Sequence, residues 1–127
     1  MIRSMNILAL AYMGDSLYET RVRESLLREH PREKVRALHS RAIRFACASA
    51  QAQAVRSMIA EGFLTEDEQE IVRRGRNQAV HPPKNADPAD YRYATGLEAL
   101  IGALFFREEN RRMEAVIQRA IELLKNE

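Results

Sequence analysis

The chain is poor in the residues that staple, kink or loosen a fold. Its 127 residues include one cysteine, four prolines, five glycines and no tryptophan. The single thiol, Cys47, excludes an intramolecular disulfide and any cysteine-rich zinc site. It stands in the apolar run Ile43–Ala54 and reads as a buried structural thiol rather than a nucleophile. The three histidines, His30, His39 and His81, are scattered and form no recognisable metal-ligand pair. No apolar stretch reaches the roughly 18–20 residues of a membrane span. The opening Met1-Ile-Arg-Ser-Met lacks the apolar segment of a signal peptide, because charge returns by Asp15. Cytoplasm is the simplest compartment.

An excess of charge of one sign is also missing. Twenty Lys and Arg stand against 18 Asp and Glu, and hydrophobic residues make up 46%. That balance excludes a disordered polyelectrolyte and a histone-like protein that binds by bulk charge. The length fits one domain, residues 1–127, able to bury a core without a metal or disulfide.

What is abundant is Ala, Leu, Arg and Glu, the good helix formers, so the expected fold is all-α. The apolar spacing predicts a first helix from about Ser4, as N-cap, to Arg28. Gly14 inside it implies close backbone approach. Pro31 opens a second segment, expected to break near Leu38–Ser40. A long helix to about Glu61 follows, ended by Gly62 and expected to be the most buried. Thr65-Glu-Asp-Glu68 has the form of a capping box, and that helix ends near Gly75–Asn77. Val80–Pro88 reads as a loop. Asp87-Pro88 starts the next helix, which runs through Phe106, and the last spans about Asn110 to Lys125.

Two acids interrupt apolar stretches. Asp15 lies among Tyr12, Met13 and Leu17, which places it near the core, with Glu19 one turn on. Glu98 stands between Leu97 and Ala99-Leu-Ile101. An acid is rarely fully buried without a partner, and two readings stand. Each pairs with an arginine at the core edge, or the two converge on a divalent cation as carboxylates of facing bundle helices. Mg²⁺ suits the second reading, since it accepts few protein ligands and keeps several waters. Nearby His or Cys that would favour zinc are lacking.

Basic residues gather downstream. From Arg73 to Arg92 there are five (Arg73, Arg74, Arg76, Lys84, Arg92) against two acids, Asp87 and Asp90. With Asn77 and Asn85 they suit phosphate and 2′-hydroxyl contacts on RNA. Arg73 and Arg74 also suit a helix C-terminus. A second basic stretch, Arg21–Arg44, holds eight Lys/Arg and three Glu, spread over two helices.

Two of these segments resemble known motifs. Leu8-Ala-Leu-Ala-Tyr-Met-Gly-Asp15 resembles the signature helix of the ribonuclease III family. Leu97-Glu-Ala-Leu-Ile-Gly-Ala103 resembles that family's second motif. Arg74-Gly-Arg-Asn77, Pro83-Lys-Asn85 and Tyr91-Arg-Tyr93 look like its short bacterial branch, the Mini-ribonuclease III group. The resemblance covers essentially the whole chain, as a bare catalytic domain without a double-stranded RNA-binding domain.

It implies an all-α ribonuclease III endonuclease-domain bundle and a homodimer. It further implies Mg²⁺ dependence, with Mn²⁺ as a substitute, and double-stranded RNA as substrate. Asp15 and Glu98 would be both catalytic residues and metal ligands, and cleavage would leave 5′-phosphate and 3′-hydroxyl ends. The branch implies maturation of the large-subunit (23S) ribosomal RNA precursor, with a ribosomal protein as a possible partner. Full-length relatives carry further acids where this chain has Leu8, Ala11 and Thr95. That loss leaves a second class of reading open, a non-catalytic helical dimer that binds structured RNA or a ribosomal partner. The glycine-containing apolar faces of the first and second-last helices are the candidate dimer interface.

Overall fold

The computed structural model describes residues 5–126. These form six α-helices: α1 (Ile7–Glu29), α2 (Val35–Ala46), α3 (Ala48–Ala60), α4 (Glu66–Gln78), α5 (Pro88–Phe106) and α6 (Asn110–Lys125). The all-α expectation holds, and there is no strand among the described residues.

Three helix starts and one helix end follow local chemistry. Thr65 and Glu68 close a full capping box, each side chain accepting from the other's backbone N–H. Asp87 Oδ1 accepts from the N–H groups of Ala89 and Asp90, with Pro88 in the first turn. Gly62, at φ +74°, follows α3 as expected of a left-handed terminator. The N-terminal cap differs. Ser4 lies outside the described residues, and Asn6 caps α1 through a 2.8 Å bond from the Leu8 N–H to its side chain.

The helix break falls at Cys47, not near Leu38–Ser40. No proline or glycine marks it. Cys47 is extended (ψ 159°), so the carbonyls of Phe45 and Ala46 lose their helical donors. Side chains replace them: Tyr18 Oη donates to Phe45 O at 2.8 Å, and Gln51 Nε2 donates to Ala46 O at 2.9 Å. Cys47 is therefore not the buried thiol that composition suggests. It is partly exposed, with Sγ 3.3 Å from Ser49 Oγ.

The most buried helix is α5 rather than the Ala42–Ala54 stretch. Leu97, Leu100, Ile101 and Leu104 are all 0% exposed, each worth roughly 1.5–3 kcal/mol of apolar burial. It packs against α1, α4 and α3, whereas α3 keeps one face in solvent and α2 buries only Ala42.

Close approach of α1 and α5 rests on two glycines. A Cβ on Gly14 would stand 1.8 Å from Glu98 O, and one on Gly102 would stand 1.9 Å from Leu10 O. The two backbones touch, and no larger residue fits. The glycine-containing faces expected to form a dimer interface are therefore spent against each other within one chain.

Candidate active site and nucleic-acid interface

The glycine crossing sets the position of both acids. Asp15 follows Gly14, and Gly14 lies against the Glu98 carbonyl. The two carboxyl groups are close enough that Asp15 perturbs the titration of Glu98. Asp15 faces solvent rather than the core, and Tyr12 beside it is 84% exposed. Its apolar neighbours in sequence, Tyr12, Met13 and Leu17, are themselves exposed or only half-buried, which is why they mislead about its burial. Glu98 is half-buried beneath it.

Among the described residues neither acid forms an ion pair with Lys or Arg, although twelve such pairs occur elsewhere. The reading in which each acid meets an arginine fails on that count. Glu19 is committed to Arg23 at 2.8 Å. The two acids instead repel. Burial, then the charge and hydrogen bond of Asp15, push the Glu98 carboxyl up to about 8, and a hydrogen bond from Gln51 pulls the other way. Gln51 Nε2 lies 3.2 Å from Glu98 Oε2.

A pair of carboxyl groups that meet no Lys or Arg among the described residues, with hard oxygen donors only, fits a hard divalent cation. No third His, Cys, Asp or Glu joins them among the described residues. Water or substrate oxygens would complete the shell. The positions where longer relatives carry acids take no part. Ala11 is buried, Leu8 is 41% exposed, and buried Thr95 donates its hydroxyl to Tyr91 O at 2.9 Å.

The basic candidates divide into free and committed groups. Arg73 bonds Glu70 one turn back on an exposed face. Arg76 stacks over Tyr93, 4.6 Å from the ring centre, and donates to its hydroxyl at 2.9 Å. Arg92 Nε approaches Ala79 O at 3.4 Å and steadies the end of the 79–87 loop. Lys84 and Asn85 are exposed on that loop. Arg74 and Asn77 line a shallow depression with Met5, Asn6 and Ile7 at the start of α1. That point is about 12 Å along the α1 axis from Asp15, at 1.5 Å per residue.

Two residues of this neighbourhood escape sequence reading. Arg56 covers Tyr93 from α3 at 4.4 Å and reaches Asp90 Oδ1 at 3.4 Å. Gln51, at 2% exposure, is the polar side chain beneath the acids. Both look like ordinary surface residues of an amphipathic helix, and only the bundle brings them to these partners.

The comparisons agree with this geometry. A family model described as the ribonuclease III domain matches residues 8–109. A Mini-ribonuclease 3 of Symbiobacterium thermophilum is 45% identical over 93% of this chain and 89% of its own length. That of Enterococcus faecalis is 40% identical over 91% of this chain and 87% of its own. A Fusobacterium nucleatum protein of known crystal structure superposes with a TM-score of 0.82 at 26% identity, covering 95% of both chains. The cleaving reading thus prevails over the non-cleaving one. The chain belongs to the ribonuclease III family, in its short Mini-ribonuclease III branch, and is an endoribonuclease.

Proposed function

We propose that this endoribonuclease is Mg²⁺-dependent, cleaves double-stranded RNA and matures the large-subunit (23S) ribosomal RNA precursor in the cytoplasm. Residues 1–127 act as one catalytic domain, and two copies pair as a homodimer. The observation that carries the reading is the Asp15–Glu98 carboxyl pair, met by no Lys or Arg among the described residues, at the glycine crossing of α1 and α5.

Asp15 and Glu98 would hold the ion, with Mn²⁺ able to replace Mg²⁺. When bound, the ion supplies water activation and charge stabilisation at the phosphodiester. The chain's own part is positioning. Asp15 presents its carboxylate at the surface, where a phosphate can approach, and Glu98 supplies a second from below, fixed by the packed α5. Arg74, Asn77, Lys84 and Asn85 are placed to meet phosphates and 2′-hydroxyls of the duplex, with Arg73, Arg76 and Arg92 beside them. Recognition is by duplex shape, since the A-form major groove is too narrow to be read by side chains.

The test is cleavage of a long paired RNA and of a precursor ribosomal RNA. Mg²⁺ is compared with chelator, and the wild type with Asp15→Asn and Glu98→Gln. The expected result is Mg²⁺-dependent products with 5′-phosphate ends, reduced at least about a hundredfold in either variant. Undiminished cutting by both variants, or cutting in chelator, overturns the assignment.

A further inference from the structure

Gln51 is the buried polar side chain that touches the acid pair, and its bonding is unusual. Both hydrogens of its amide are committed, one to Ala46 O at 2.9 Å and one to Glu98 Oε2 at 3.2 Å. Two acceptors on the nitrogen fix the amide's orientation, since a flip would set its oxygen against a carbonyl and a carboxylate. The cost appears at the other end. Gln51 Oε1 is buried without a partner among the described residues, a deficit of about 1–3 kcal/mol. An apolar side chain of equal length would remove that deficit, so the amide is retained for what its nitrogen holds.

We infer that Gln51 is a positioning residue that fixes the Glu98 carboxylate for the divalent cation shared with Asp15. The inference rests on the two-carboxylate reading given above. An amide suits the task better than a cation would. It holds one carboxylate oxygen by a hydrogen bond without neutralising the charge that the ion needs. Lysine or arginine here would compete with the ion. The second bond to Ala46 ties the amide to the α2–α3 break, so Glu98 is registered against α3 as well as α5. Outer groups that orient metal ligands commonly contribute 10–100-fold in metal affinity or activity.

The experiment measures Mn²⁺ binding to the metal-free protein by electron paramagnetic resonance, without RNA, followed by steady-state cleavage kinetics. Gln51→Met keeps length and burial but has no donor. Gln51→Asn keeps the amide but is one methylene too short to span both acceptors, and it serves if the first variant folds poorly. Both are expected to weaken Mn²⁺ binding about tenfold. Both should lower kcat at saturating RNA and leave the KM for RNA within about twofold. A folded variant of either kind that binds Mn²⁺ like the wild type, with normal kcat, overturns the inference, even if its melting temperature has dropped. That result would leave Gln51 as a seal on the Ala46 carbonyl. Failure of the underlying reading is separately visible, because Asp15→Asn and Glu98→Gln would then bind Mn²⁺ as the wild type does.

Discussion

Glu98 shows how a single side chain carries both a cost and a function. In the metal-free protein its carboxyl, normally near 4.5, is held up to about 8, first by burial and then by Asp15. A carboxyl whose folded value is raised binds its proton more tightly folded than unfolded. The contribution of Glu98 to stability therefore falls as pH rises from about 4.5 to about 8 and is flat beyond. Removing the charge should reverse this. In chelator, Glu98→Gln is expected to leave stability near that of the wild type at pH 4.5. At pH 8 it should raise it by roughly 1–3 kcal/mol. Denaturant unfolding at the two pH values checks this, and a variant equally destabilised at both would mean that Glu98 is a structural anchor. Acids inside apolar runs single out Asp15 and Glu98, a signal of burial that holds for half-buried Glu98 and not for exposed Asp15. Gln51 carries no such signal. It alternates with Gln53 in an alanine-rich helix, and nothing local separates the buried amide from the solvated one.

At the scale of helices, what was legible is what is encoded locally. The Thr65–Glu68 box, the Asp87-Pro88 start and the Gly62 stop each depend on residues within one turn, and the structure contains them all. The Cys47 break depends on Tyr18, 27 residues from its acceptor Phe45. No window of local sequence contains that pair, so local pattern points instead to the more polar Leu38–Ser40. Gly14 and Gly102 fall between these cases. Their closeness to another backbone was readable, but not which backbone. That contact gives a sharp expectation for Gly102→Ala. Its new methyl would stand 1.9 Å from Leu10 O, and the α1–α5 pair must separate. Overpacking of this kind costs about 1–3 kcal/mol or more. Because Glu98 is one turn earlier on α5, the acids should part as well. Gly102→Ala is expected to lower the thermal midpoint and to weaken Mn²⁺ binding together. A drop in one without the other would dissociate the helix crossing from the site.

At the scale of the whole molecule, one chain offers one acid pair, whereas a duplex has two strands. Two-fold pairing would set one site against each strand, since an isologous dimer repeats the same patch twice. The glycine faces are occupied internally, so the homodimer proposed above would use another surface. The outer face of α1 offers one. Tyr12 is 84% exposed and Leu8, one turn earlier, is 41% exposed, while Asp15 lies on the same helix less than a turn away. This face is the candidate two-fold contact of the homodimer proposed above. Burying Tyr12 there would also hold the two Asp15 residues at a fixed separation, as paired cuts across a duplex require. Tyr12→Asp introduces a charge at an exposed helical position, so the monomer's fold should survive. The expected outcome is a halved mass by sedimentation equilibrium, with unchanged circular dichroism. Mn²⁺ binding per chain should persist, because Asp15 and Glu98 come from one chain, while double-strand cleavage should fall at least about tenfold. A variant that stays dimeric with full activity would move the interface away from α1.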